Sequence, residues 1–301
     1  MAEIGYISRG ADLIDKQQQE RYFAQLQRQY LRICADSPSV DSLRQSLQKL
    51  SFDPGVSESE PEGSVTDGLG DGVRGNSDVD KNIDTENVES KVTDINYMDK
   101  KGTETKESQF DQILVGLRKL RETVLASGPP TSFSKIVFLF SARVTVLLGH
   151  YQSYLPSLKT LLDVIDPVVP LTTAERYEIA GLYVLHLTHF ANDPAAAFDA
   201  LYRYNIQDDL PLRQIIISWT DKDYVLWRTR YKAESDNARR KLMDHGARNM
   251  AIACMKTIGS AYFFMSKTEL EGLVGYCWDQ CLDLGCRWRL ENDRVVIRQR
   301  K

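Results

Sequence analysis

The last fifty residues constrain this chain more than any other part of it. From Asn249 the pattern runs helix, short apolar stretch, helix, helix, tight hairpin. Ala261-Tyr262-Phe263-Phe264-Met265 is the apolar stretch, and Ser266-Lys267-Thr268-Glu269 follows it as a capping box. In that motif the Ser hydroxyl and the Glu carboxylate reciprocally satisfy orphan N–H groups at a helix start. Leu270, Leu273 and Val274 then fall at helical spacing. Cys286–Leu290 and Arg294–Arg298 read as two short strands, with Glu291-Asn292-Asp293 supplying the turn.

That order is the order of a winged helix, a docking element rather than a catalytic one. The rest of the patterned chain reads as helix. Phe23, Leu26, Tyr30 and Ile33 recur at 3–4 spacing within 12–35, and Val40, Leu43, Leu47 and Leu50 continue after Ser37-Pro38. Phe110, Ile113, Leu114, Leu117 and Val124 form a further apolar face, closed by Gly128-Pro129-Pro130. Lys135 to Gly149 is apolar and β-branched, so periodicity alone does not separate strand from buried helix. The helical series Tyr151, Tyr154, Leu158, Leu161, Leu162 after it favours an antiparallel helix pair. Thr172–Glu175 is a second capping box, and Asp193-Pro194 reads as N-cap followed by the first helical position. The expected fold is mainly α: an α-solenoid of antiparallel helix pairs followed by a C-terminal winged helix with a short β-hairpin. The expected divisions are N-terminal helices (1–50), an acidic insertion (51–108), a helical-repeat domain (109–235) and a winged-helix domain (236–301).

Residues 51–108 hold 15 acidic against 6 basic side chains, a balance of −9, with only Phe52 and Tyr97 as aromatics. Such a composition buries too little apolar surface to offset chain entropy, and disorder is expected. Ser57 and Ser77, each followed by acidic residues, are candidate phosphorylation sites. Gly70, Gly72 and Gly75 match a dinucleotide-binding spacing, but no strand precedes and no helix follows. Asp78, Asp80, Asn82, Asp84 and Glu89 match calcium-loop positions, but Ile83 stands where the loop needs Gly. Both matches are rejected. The acidic excess is local: from Val225 onward there are 15 basic against 9 acidic residues.

Catalytic chemistry finds little support. No nucleophile elbow, P-loop, zinc-protease or kinase signature is present, and no enzyme activity, cofactor or small-molecule substrate is expected. His186 and His189 share a predicted helix face at i, i+3 without a third ligand nearby, and read as structural histidines. Cys277, Cys281 and Cys286 lack the paired short gaps of a structural zinc site and read as small hydrophobes. Five cysteines in a chain of 301 residues are expected to be reduced thiols, in the cytoplasm or nucleus. The amino terminus has no secretory pattern, and no apolar run is long enough for a bilayer, so no membrane contact is expected. The concentrated basic patch is Arg287, Arg289, Arg294, Arg298, Arg300 and Lys301. It reads either as a wing meeting phosphate backbone or as a solvated edge that resists strand aggregation, with a solvated edge or protein contact favoured.

The chain resembles the PCI family, found in the proteasome lid, the signalosome and translation initiation factor three. The residues that carry the resemblance are Phe140 to Leu162 with Gly149-His150-Tyr151-Gln152-Ser153-Tyr154-Leu155 at its turn, Glu178 to Leu187 running on to Asp193-Pro194, and Trp219-Thr220-Asp221-Lys222-Asp223-Tyr224. Ile258-Gly259-Ser260-Ala261-Tyr262 and Gly285-Cys286-Arg287-Trp288 through Val295-Val296-Ile297 are similar to the winged-helix part. The subgroup most resembled holds the small lid subunit, the smallest signalosome subunit and subunit k of the initiation factor. The resemblance covers about residues 110–301. It implies a non-catalytic scaffold subunit whose partners are other PCI subunits, met through winged-helix sheet edges. Trp288, Arg289, Arg294, Val296 and Arg298 are the candidate edge or basic wing. Sac3-like relatives imply the alternative, an adaptor for RNA or DNA in mRNA export or processing. The helix at 12–35 is expected to be free to dock on a partner.

Overall fold

The computed structural model describes residues 15–35 and 109–298. The acidic stretch, the Val40–Leu50 pattern, the two rejected motifs, the candidate phosphorylation sites and the Arg300-Lys301 end of the basic patch lie outside the described residues.

The structure is mainly helical with a small C-terminal sheet. Helix α1 is Lys16–Ala35, α2 spans 109–126 and α3 is Ser132–Leu147. Helix α4 (Tyr151–Thr160) runs on into a π turn, Leu161–Ile165, and α5 (Thr173–Leu185) into another, His186–Phe190. Then come α6 (Pro194–Arg203), α7 (Leu210–Asp221), α8 (Tyr224–Ala233) and the 25-residue α9 (Asn237–Ala261). Strand β1 (Phe264–Ser266), α10 (Lys267–Val274), α11 (Trp278–Asp283), β2 (Arg289–Glu291) and β3 (Arg294–Val296) complete the order. The ambiguous apolar stretch after Lys135 is helix α3, paired with α4.

Local chemistry sets the helix boundaries. Both predicted capping boxes form: Thr172 with Glu175 and Ser266 with Glu269. Asp193, Asp209, Asp223 and Asp236 cap α6 to α9 in succession, each side chain accepting from backbone N–H groups of the first turn. Such carboxylates complement the positive end of the helix dipole. Helix α7 stops at Lys222, which adopts a left-handed conformation, and Asp223 starts α8 at once.

The main core joins α3 to α9 and includes Tyr154, Leu182, Leu185, Ile216, Trp219 and Met243. A second core lies at the amino-terminal end. Phe23, Leu26, Tyr30 and Ile33 of α1 pack on Ile113, Leu117 and Leu120 of α2 and on Val137, Phe140 and Val144 of α3. This corrects the expectation of a free α1, because its apolar face is already occupied within the chain. Gly116 allows the close approach: a Cβ there would stand 2.7 Å from a Leu26 methyl and 3.0 Å from the Tyr22 hydroxyl.

A third core gathers the C-terminal module around Cys254, Ile258, Met265, Leu270, Cys281 and Val295. Helix α9 belongs to two of these cores. Ala238, Leu242, Met243 and Met250 face the main one, while Ala251, Cys254, Met255 and Ile258 face the third. Arg239 ties its first turn to the stack, with Nη2 2.9 Å from Asp209 Oδ2 and 3.3 Å from the Tyr177 carbonyl.

Candidate functional site

The C-terminal sheet is three-stranded and antiparallel in the order β1-β3-β2. Its hairpin turns through Asn292 (φ 46°) and Asp293 (φ 66°), both left-handed, as a two-residue type I′ turn requires. The register aligns Phe264, Val296 and Arg289 across one face, and Met265, Val295 and Leu290 across the other. Met265 and Val295 lie in the core, so that second face is the inward one.

This topology relocates the edge. Val296 is on the central strand, paired on one side with Phe264 and on the other with Arg289. The free edges belong to β1 and β2. The Ile297 N–H donates to the Phe263 carbonyl and the Lys267 N–H to the Asp293 carbonyl. Odd-numbered residues of β3 therefore face β1, and Arg294 and Val296 face β2. It follows that Arg289 and Glu291 point their backbone groups into the ladder, and Leu290 points its N–H and C=O outward. On β1 the outward residues are Phe264 and Ser266, and the Ser266 N–H is taken by Glu269 Oε2 at 3.2 Å. Each edge is thus open at one residue, β2 at Leu290, which is 37% exposed, and β1 at Phe264, which is 54% exposed.

The basic wing divides in two. The Arg294 guanidinium carbon sits 3.4 Å from the centroid of the Phe264 ring, a diagonal cross-strand pair on the outer face. Arg298 folds back: Nη2 donates to the Ser260 carbonyl at 2.6 Å and Nε to that of Tyr262 at 3.4 Å, with Phe263 beneath it. Arg289 is exposed on the outer face beside Val296, and Trp288 packs against the third core near Gly259. The structure therefore brings Arg289, Arg294 and Val296 onto one face, and directs Trp288 inward and Arg298 onto the end of α9.

Sequence reasoning missed the aromatic run Tyr262-Phe263-Phe264, whose side chains are 48%, 40% and 54% exposed. The five-residue apolar stretch Ala261–Met265 carries no sign in the sequence of which side chains are exposed. Only the alternation of a strand reveals that Met265 turns inward while Phe264 turns out. These exposed aromatics lie at the β1 side of the sheet, with the Arg294 and Arg298 guanidinium groups against two of their rings.

The cysteines and histidines hold structural positions. Cys281 is buried in the third core with Cys286 packed beside it, and Cys277 is the exposed residue preceding α11. Burial pushes the Cys281 thiol up to about 11 and that of Cys254 to about 12, so both remain protonated. His186 and His189 sit on the π turn after α5. His189 is wedged between Trp219, Trp227 and Gly246: its Nε2 accepts the Trp227 indole N–H at 2.9 Å, and Nδ1 stands 3.2 Å from the Leu185 carbonyl. This pair of partners assigns the proton to Nδ1. His186 Nδ1 meets the Tyr154 hydroxyl at 3.0 Å. Burial lowers His186 to about 4 and His189 to about 3, so both rings are neutral at pH 7. Among the described residues no three His, Cys, Asp or Glu side chains group as a metal site would, and no helix is long and apolar enough to cross a membrane.

Comparison of the chain with models of known protein families finds no match, and comparison with curated proteins finds none either.

Proposed function

We propose that the protein is a non-catalytic scaffold subunit of a PCI-type multiprotein complex of the proteasome-lid, signalosome or initiation-factor kind, acting in the cytoplasm or nucleus. In this reading the paired helices from 109 to 233 are an α-solenoid, and α9 to β3 are the winged helix that docks on neighbouring subunits. The observation that carries it is the order of the C-terminal module. A long helix leads into a strand, two short helices and a hairpin, built on the end of a stack of paired helices. The docking edge in this reading is β2, where Leu290 points its backbone groups outward; the exposed Tyr262–Phe264 run lies at the opposite side of the sheet, on and before β1. The basic patch lends less support to a nucleic-acid adaptor, because Arg294 and Arg298 are engaged with Phe264 and with backbone carbonyls.

The test has two steps. Tagged protein purified from its own cells at moderate salt is expected to bring down a fixed set of subunits in constant ratio, insensitive to nuclease. Recovery that disappears on nuclease treatment would transfer the function to nucleic-acid binding. Leu290→Pro removes the outward N–H without removing a ladder hydrogen bond, and is expected to abolish that recovery while helicity and melting temperature stay near wild type. Full recovery with this variant would rule out the β2 edge.

A further inference from the structure

A cavity of about 350 Å³ lies in the seam between the helical stack and the C-terminal module. Helix α8 supplies Trp227, Arg228, Tyr231 and Lys232, α9 supplies Asp244, Ala247 and Met250, and the end of α10 supplies Leu273 to Tyr276. The volume is at the small end of the range of ligand pockets, which favour such junctions between packed bodies.

The charges in the cavity are not balanced. Arg228 lies against Gly275, whose left-handed conformation (φ 88°) and missing Cβ leave room for the guanidinium. Its Nη1 reaches only the Leu273 carbonyl, at 3.4 Å, and its Nε is buried without an acceptor. Lys232 is exposed at the rim. The carboxylate in the lining, Asp244, already accepts the Tyr231 hydroxyl at 2.7 Å. Trp227 and Tyr231 line one side, their rings stacked on each other at 5.3 Å with 14° between their planes; Trp227 is buried and Tyr231 is the more exposed of the two. The Arg228 Nε is sealed from the cavity, but the outer nitrogens of the guanidinium are held only by the one long contact to Leu273, and guanidinium pairs best with a carboxylate or phosphate. The outer side of the Tyr231 ring is what remains for a planar apolar group.

We propose that this seam is a binding site for a small aromatic anion, its acidic group on the outer nitrogens of Arg228 and its ring beside Tyr231. The source is either a free aromatic acid or the carboxyl-terminal aromatic residue of a peptide. The site is independent of the scaffold reading and stands if that reading fails.

The probes are N-acetyl-phenylalanine, its amide, and phenyl phosphate, titrated into the full chain and followed by chemical-shift changes of the tryptophan indole N–H groups. N-acetyl-phenylalanine is expected to shift the Trp227 signal saturably, and its amide to bind at least about tenfold more weakly, as loss of a charged hydrogen bond implies. Stronger binding of phenyl phosphate would assign the acidic group as phosphate. Stronger binding of a dipeptide such as Gly-Phe blocked at its amino end, relative to N-acetyl-phenylalanine, would assign a peptide terminus, and the reverse a free acid. Arg228→Met is expected to remove binding. Ala247→Leu fills the cavity with a good helix former and leaves every charge in place, and is expected to block binding with no loss of melting temperature. No saturable shift with any probe, or equal binding of acid and amide, would overturn the proposal. So would unchanged binding in Ala247→Leu.

Discussion

At the scale of single residues, the buried histidines give the fold a pH dependence with a defined sign. Tyr154, Trp219 and Trp227 enclose His186 and His189, and their folded-state pKa values of about 4 and 3 lie below the ordinary value of 6.5. Below pH 6.5 the unfolded chain takes up protons at these rings and the folded chain does not, so stability falls as pH falls. By pH 5 each ring contributes a loss of about 2 kcal/mol. The carboxylates do not obscure this window. Burial raises the Glu175 carboxyl, but Lys135 and its hydrogen bonds to Thr172 outweigh this and lower it on balance, so its contribution is lost from the usual carboxylate range downward, mostly below pH 5. Urea unfolding at pH 7 and pH 5 is expected to show a clear loss of stability at the lower value. Equal midpoints would mean that the rings are protonated in the folded state, and that the Trp227-to-His189 hydrogen bond is absent.

At the scale of elements, α1 is held by one aromatic anchor. Phe23 meets Phe133 and Phe140 edge to face, at 5.9 and 5.4 Å, and Tyr30 also meets Phe140 edge to face, at 5.8 Å. Phe23→Ala is expected to cost about 3–5 kcal/mol at that contact. The loss should appear as faster amide exchange in α1 and leave the exchange of α5 to α9 unchanged. Global loss of protection would instead make α1 part of the main cooperative unit. The apolar face of α1 was legible in the sequence, since Phe23, Leu26, Tyr30 and Ile33 at helical spacing are the buried residues. What covers that face was not, because the partner residues on α2 and α3 lie some eighty or more positions away and periodicity carries no pairing. The same limit applies at the sheet. Strand β3 and the turn at Asn292-Asp293 are local and readable, whereas β1 completes the sheet from across two helices and turns the expected edge at Val296 into the centre. Helix α9 hid its length for a different reason. Its buried stripe at 238, 242, 246, 250, 254 and 258 is made of Ala, Leu, Gly, Met, Cys and Ile, a weak apolar signal for so long a helix.

At the scale of the whole molecule, α9 is the mechanical link. It contacts α3, α5, α8 and the π turn at 186–190 with its first half, and carries α10 and the sheet on its second. A rigid helix shared by two cores fixes the angle at which the C-terminal sheet leaves the helical stack. A separate linker would let that angle vary, and a docking edge is useful to a scaffold only if its direction is set. The exposed positions Arg248 and Asn249 mark the hand-over between the cores, so a break there touches neither core directly. Asn249→Pro removes one helical hydrogen bond and clashes with the preceding turn, at a cost of about 3 kcal/mol or more. Calorimetry of the native chain is expected to show the C-terminal module melting with the stack, and the proline variant to show two separated transitions. On the proposed scaffold reading, recovery of partner subunits should fall in the variant even though Leu290 and the aromatic run are untouched, because their direction is no longer fixed. A single transition in the variant, with partners retained, would place the rigidity in the α8–α10 seam around Arg228 instead of in α9.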